Sequence, residues 1–337
     1  MPRVISEVDI SQESQQRLGA LPGVSLHAFE PHKEEWRLAP ELCDVDILLC
    51  KKPPANLDDL NRLAFVQLST VGYEHLRDCR FAERPIRVAN ARGIFDTAIA
   101  EWNVAMLINL TRDLRQAIRD QDQAHWQRRS RYQQEVRGKI AGLWGYGGIG
   151  RETARLCHAL GMRVHALTRR PIGPRLDSFT PSGTGDPEGI IPEKRFLPGQ
   201  EKEFLAGVDF LILALPHTNE SDGMIGEAEL RALKPSAFLL NPARGPIVQE
   251  EALVRALREG WIAGAALDTH FAYPLPPAHP LWPLPNVILT PHISGADHSD
   301  AFPGRMGQLF LDNVTRFLAG RPLLNEISAR DWAESIV

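Results

Sequence analysis

The stretch Ile140-Ala141-Gly142-Leu143-Trp144-Gly145-Tyr146-Gly147-Gly148-Ile149-Gly150 decides the fold class. A strand-like apolar run leads directly into Gly-x-Gly-x-x-Gly, and Thr153, Ala154, Cys157 and Leu160 follow at helical spacing. Strand, glycine turn and helix in that order open a dinucleotide-binding βαβ unit. Gly145 permits the tight turn, Gly147 lets backbone approach a pyrophosphate, and Gly150 lets the helix pack closely on its strand. Free N–H groups and the positive end of the helix dipole then face the phosphates, so the whole loop, including Tyr146, Gly148 and Ile149, is a candidate cofactor site.

The next apolar run, Arg163 to Leu167, ends where the acid that grips a cofactor ribose belongs, roughly 20 residues past the glycines. Thr168, Arg169 and Arg170 stand there instead. A carboxylate would repel a 2′-phosphate, whereas a hydroxyl and two guanidiniums hydrogen-bond and pair with one. NADP(H) is the expected cofactor, with NAD(H) as the alternative.

Four more apolar runs follow, Phe210 to Leu215, Ala237 to Leu240, Ile262 to Leu267 and Val287 to Leu289, separated by helical patterns. With the first two they predict a doubly wound parallel sheet of the Rossmann type. Ligands bind such sheets at the carboxyl ends of the strands, and each late run delivers an unusual polar group there. These are Pro216-His217-Thr218, Asn241-Pro242-Ala243-Arg244-Gly245, Asp268 and Thr290-Pro291-His292. Arg244 offers a planar fork that matches a carboxylate, and His292 titrates near neutrality, so it can give and recover a proton. Together they suit reduction of a 2-oxo acid, with Asp268 placed either to anchor a nicotinamide carboxamide or simply to end its strand.

Upstream, Val24 to Phe29, Val45 to Cys50 and Phe65 to Leu68 read as strands of a second α/β unit, and Thr97 to Leu114 as a long helix joining two domains. Residues 171–200 are rich in Pro, Gly, Ser and Asp without a period and read as a surface excursion, while Met306 to Leu318 forms a closing helix ended by Gly320. A chain of 337 residues with 43% hydrophobic and 24% charged residues suits two globular domains. The net charge of -4 gives no general attraction to nucleic acid or to an anionic membrane. No apolar run approaches a membrane span, and Met1-Pro2-Arg3 opens no secretory h-region, so a cytoplasmic enzyme is expected. Cys43, Cys50, Cys79 and Cys157 lack C-x-x-C spacing and read as packed thiols, with no metal expected.

These residues resemble the D-isomer-specific 2-hydroxyacid dehydrogenase family, which includes phosphoglycerate dehydrogenase and glyoxylate/hydroxypyruvate reductase. The glycine loop carries the resemblance together with Ser69-Thr-Val-Gly-Tyr-Glu-His75, Asn90, Gly93, Ala100-Glu101, Leu215-Pro-His-Thr218, Asn241-Pro-Ala-Arg-Gly245, Ala266-Leu-Asp268 and Thr290-Pro-His-Ile-Ser-Gly295. It implies a flavodoxin-like substrate domain from residues 1–100 and 296–337, a Rossmann domain from residues 101–295, a cleft closing over substrate, and a homodimer. It further implies Arg244 as carboxylate binder, backbone amides near Val71 and Gly72 sharing that carboxylate, and His292 as general acid/base. Asp268 would anchor the nicotinamide, and cofactor contacts would fall near Pro216, His217, Ala243 and His292.

One position departs from the family pattern. A glutamate normally precedes the proline after the Asp268 strand and pairs with the catalytic histidine, but Tyr273-Pro274 stands there. A phenol does not stabilise an imidazolium as a carboxylate does, so Tyr273 is expected to orient His292 instead, with Asp268 or His270 as possible substitutes. Oxidation of a smaller anion, as in formate and phosphite dehydrogenases, and dinucleotide sensing, as in C-terminal-binding-protein co-repressors, remain open alternatives.

Overall fold

The computed structural model describes residues 2–28, 36–73, 76, 79, 81, 84–128, 131, 133–175, 178–296 and 299–328. The chain divides into two compact units. The first is built from residues 1–95, 176–181 and 297–337, the second from residues 96–175 and 182–296.

The first unit opens with β1 (Arg3–Ser6), α1 (Gln12–Gly19), β2 (Ser25–Ala28), β3 (Ile47–Cys50), β4 (Phe65–Leu68) and β5 (Arg87–Ala89). The strands are parallel in the order β2-β1-β3-β4-β5, the flavodoxin-like arrangement. β3 and β4 are buried at every residue, as strands covered on both faces must be. Gln67 is the polar exception in that core. Its amide donates to the carbonyls of Leu68, Ala89 and Asn90, and its oxygen accepts from Asn313, so each buried polar atom is satisfied. Two strands the periodicity did not predict, β1 and β5, are only four and three residues long.

The second unit begins with α2 (Asp96–Arg112) and α3 (Leu114–Asp122). The single helix expected from Thr97 to Leu114 is two, because Asp113 takes a left-handed conformation at φ 49° and restarts the chain. There follow β6 (Ile140–Trp144), α4 (Gly148–Ala159), β7 (Arg163–Leu167), β8 (Lys194–Phe196), α5 (Glu201–Gly207), β9 (Phe210–Leu213), α6 (Glu227–Ala232), β10 (Phe238–Asn241), α7 (Glu250–Glu259), β11 (Gly264–Leu267) and β12 (Val287–Leu289). All are parallel in the order β12-β11-β10-β9-β6-β7-β8. This is the doubly wound Rossmann sheet, with strand order reversing between β6 and β9. α2 is fixed on α4 by the buried bond from Asn103 Nδ2 to Thr153 Oγ1 at 3.1 Å.

The expected surface excursion over 171–200 needs correction. It contains β8, whose Lys194 and Arg195 are exposed on the sheet edge and hide the strand from any apolar pattern. Phe179 is buried in the core of the first unit, and Asp186 is 4% exposed in the second. The chain returns to the first unit with α8 (Ala301–Leu318), where Gly307 lies directly on Ser14 of α1. Burial raises the thiols of Cys50 and of Cys157, the latter to about 12, so both are packed and inert. Among the described residues, no helix is long and apolar enough to cross a membrane.

Candidate active site

Strand register aligns the polar turns. Trp144 of β6 pairs with Leu167 and Leu213, Leu240 with Ile212, and Leu267 with Asn241 and Leu289. The residues that follow these partners therefore emerge in one row along the carboxyl edge of the second unit's sheet.

The glycine loop leaves β6 at Gly145 with φ 102°, where any side chain would run into the Ala214 carbonyl. A side chain at Gly150 would strike the Gly145 carbonyl, so both glycines are demanded by packing. Gly147 differs: as N-cap of α4 it has φ −77°, and a Cβ there would meet no atom within 4 Å. The space beside it is open and faces the first turn of a twelve-residue helix, which fits a dinucleotide pyrophosphate. Tyr146 is not aimed at that space. It is 7% exposed and donates its hydroxyl to Asp186 Oδ2 at 2.7 Å. Beside Gly148 lie the Asp96 carboxylate and the Arg175 guanidinium, neither singled out by sequence.

At the end of β7, the Thr168 hydroxyl donates to the Arg170 carbonyl at 2.6 Å. Arg169 is already paired at 2.8 Å with Glu220, both side chains being mostly exposed. After β9, His217 Nε2 meets Asp222 Oδ1 at 2.7 Å, and Ser221 Oγ donates to the Pro216 carbonyl at 2.8 Å, which braces the turn.

After β10, Asn241 staples its own turn. Its Nδ2 donates to the Arg244 carbonyl at 2.8 Å, and its Oδ1 accepts from Ala243 N at 3.0 Å. Arg244 is half-buried and gives one N–H to the Ala243 carbonyl, 2.8 Å away. Gly245 is required because its neighbour is the His270 carbonyl, so the Arg244 turn packs on the turn after β11.

Asp268 directly follows β11 and has no solvent exposure. Oδ1 accepts from Thr290 Oγ1 at 2.6 Å and Ile293 N at 2.9 Å, while Oδ2 accepts from Ser294 N at 2.9 Å. Trp102 Nε1 adds a bond to Thr290 Oγ1 at 3.1 Å. This network holds the turn on which His292 sits, exposed and left-handed at φ 58°, with its N–H on the Thr290 carbonyl at 3.0 Å. Asp268 thus has a structural task the sequence did not reveal.

Tyr273 is 59% exposed, and its ring lies 5.5 Å from the His292 ring at 47°. Its hydroxyl accepts from His270 N at 3.2 Å. His270 is 7% exposed and holds the Thr290 carbonyl through Nε2 at 2.8 Å, which requires the proton on that nitrogen. Its Nδ1 is buried without a partner.

In the first unit, the loop after β4 is held by its carbonyls. Thr70 Oγ1 donates to the Gly72 carbonyl at 2.8 Å, and Asn90 Nδ2 to the Val71 carbonyl at 3.0 Å. A cavity of about 640 Å³ in this unit is lined by Arg17, Leu21, Asp312 and Arg316 among others, but by none of the residues singled out above.

The NAD-binding-domain model of the D-isomer specific 2-hydroxyacid dehydrogenases matches residues 104–294. A glyoxylate reductase of Thermofilum pendens is 33% identical over 302 residues, covering 87% of this chain and 83% of that protein. Among solved structures, a D-isomer specific 2-hydroxyacid dehydrogenase of Xanthobacter autotrophicus, in complex with NADPH and MES, is 26% identical with a TM-score of 0.77, covering 98% of this chain and 99% of that one. An NADPH-dependent glyoxylate/hydroxypyruvate reductase of Sinorhizobium meliloti is 28% identical with a TM-score of 0.73, covering 98% and 99%.

Proposed function

Since this chain belongs to the D-isomer-specific 2-hydroxyacid dehydrogenase family, we propose that it reduces glyoxylate, hydroxypyruvate or a 2-oxo acid of similar size, with NADPH preferred over NADH. It is a nicotinamide-dependent oxidoreductase of 2-oxo and 2-hydroxy acids. The relatives favour this reaction over oxidation of a smaller anion or dinucleotide sensing. The observation that carries the assignment is the single row of turns bearing Gly147, Arg244 and His292.

We assign dinucleotide binding to the second unit and substrate contacts in the Val71 loop to the first. The Arg244 fork holds the substrate carboxylate and polarises the adjacent carbonyl, and in the first unit we assign substrate contacts to the backbone amides of Val71 and Gly72. His292 gives its proton to the carbonyl oxygen as that oxygen becomes a hydroxyl. Tyr273 sets the plane of the His292 ring, and Asp268 holds its turn and reaches the nicotinamide carboxamide. When bound, the dinucleotide supplies the hydride that C2 receives. Gly145 to Gly150 receive the pyrophosphate, with Tyr146, Gly148 and Ile149 contributing backbone only; Thr168, Arg169 and Arg170 receive a 2′-phosphate; and Pro216, His217 and Ala243 border the cofactor. The product would be the D-hydroxy acid, and the enzyme a cytoplasmic homodimer, which sedimentation would measure.

The test is oxidation of NADPH and NADH with glyoxylate, hydroxypyruvate and pyruvate, in the wild type and in Arg244→Ala and His292→Ala. Turnover that falls at least about a hundredfold in each variant supports the roles. Dinucleotide binding without turnover of any 2-oxo acid would sink the reading in favour of a sensor. Arg170→Ala should cost about tenfold in affinity for NADPH and leave NADH unchanged.

A further inference from the structure

We propose that Arg175 is a ligand of the dinucleotide pyrophosphate, delivered to the glycine loop by the segment between β7 and β8. This rests on the cofactor role assigned to Gly145–Gly150 and adds a side chain from outside that motif. Gly148 is the first residue of α4, and a Cβ on it would collide with the Asp96 carboxylate and stand 2.6 Å from Arg175 Nη1. Lacking a side chain there, the helix carries a guanidinium on its first turn, next to the open space at Gly147. Arg175 Nη1 and the Asp96 carboxylate approach to 3.9 Å with side chains 19% and 13% exposed, a charge pair that holds the guanidinium beside the loop.

The segment that presents Arg175 is fastened to α4 itself. Arg175 N donates to the Pro187 carbonyl at 3.1 Å. Buried Arg151 of α4 donates to the carbonyls of Gly173 at 2.6 Å and Pro187 at 3.2 Å, and also to that of Asp186. The Asp186 carboxylate accepts from Tyr146 OH at 2.7 Å and from Ile190 N and Ile191 N, both at 3.0 Å. Gly185 N reaches Glu152 Oε2 at 2.5 Å. Tyr146 and Arg151 therefore use the glycine loop and its helix as the platform from which Arg175 returns to the loop.

A pyrophosphate carries two negative charges, whereas a helix N-terminus supplies roughly half a positive one, so an added fork is the chemistry that site calls for. Arg169 and Arg170 stand at the tip of β7, where a 2′-phosphate would lie. Two groups of arginines thus address two different phosphates, and their variants separate.

Equilibrium binding of NADPH, NADH, ADP-ribose and 2′-AMP would be measured for the wild type, Arg175→Ala, Arg175→Lys and Arg170→Ala. Arg175→Ala should weaken NADPH, NADH and ADP-ribose alike by about ten- to a hundredfold and leave 2′-AMP unchanged. Arg175→Lys keeps the charge and loses the fork, and should recover part of that loss even if the alanine variant folds poorly. Arg170→Ala should move only NADPH and 2′-AMP. Unchanged affinities in both Arg175 variants would make Arg175 a strut for Asp96 and overturn the proposal, as would a loss confined to NADPH and 2′-AMP. Absence of dinucleotide binding in the wild type would instead fail the cofactor assignment, and this inference with it.

Discussion

The Asp268 carboxylate accepts the Thr290 hydroxyl at 2.6 Å, and through that bond the end of β11 sets the backbone that carries His292. Asp268 accepts two more N–H groups from the same turn, so three donors hold its buried carboxylate in place.

Asp268→Asn replaces one acceptor oxygen by a donor that faces an N–H. The buried mismatch should cost about 2 to 3 kcal/mol, read as a lower urea midpoint. Because the His292 turn then relaxes, kcat should fall at least about tenfold. A variant with the wild-type midpoint and kcat would show that the network does not position His292.

Tyr273 divides the His292 environment into ring contact and hydroxyl anchoring. Tyr273→Phe keeps the ring but removes the acceptor for His270 N, and kcat should fall about three- to tenfold. Tyr273→Glu places a carboxylate by the histidine and stabilises its cation. Reduction needs a proton donor, so the falling alkaline limb of the rate profile should move about one pH unit higher in Tyr273→Glu. Unaltered rate and profile in both variants would remove Tyr273 from the mechanism.

Gly147 and Gly145 make contrasting demands. Gly147→Ala meets no atom of the protein and has an ordinary φ, so the melting temperature should barely change while dinucleotide affinity falls at least about tenfold. Gly145→Ala forces a side chain to φ 102° against a carbonyl and should destabilise the fold by at least about 1 to 2 kcal/mol. Normal dinucleotide binding by Gly147→Ala would place the pyrophosphate elsewhere.

Glu326 receives two 2.7 Å bonds from Arg87, and these hold its carboxyl below the usual range. A carboxyl lowered in the folded state stabilises above its unfolded pKa of about 4.5 and loses that contribution as pH falls through the folded value. With about a third of each side chain exposed, the contribution is on the order of 1 kcal/mol. Glu326→Gln should be less stable at pH 7, and its urea midpoint should decline less than the wild type's between about pH 5 and pH 3. Parallel declines would deny the pair this role.

The sheet of the second unit was legible because its strands are mostly apolar: Ile140–Trp144, Arg163–Leu167 and Val287–Leu289 have the bounds the pattern predicts. β8 was illegible because two of its three residues are charged and exposed. The break at Asp113 was equally hidden, since neither Gly nor Pro marks it. The turns bearing Arg244, Asp268 and His292 could be placed because each follows its strand at once. What escaped were pairings between distant residues: Trp102 with Thr290, 188 positions apart, and Arg175 with Asp96 beside Gly148. Spacing reports local geometry, and such contacts exist only after the sheet has closed.

The intimate seat of α8 on α1 has a consequence for synthesis. A ribosome releases residues in order, and the core of the first unit needs Met306, Leu309, Phe310 and Val314 beside Val4, Leu18 and Ile47. The half begun earliest is therefore completed last, after the 96–175 and 182–296 portions have emerged and can fold. Until α8 arrives, the apolar surface of Leu18 and Phe65 lacks its cover. In the nascent chain, that interval is when this polypeptide is most exposed to aggregation and most in need of a chaperone.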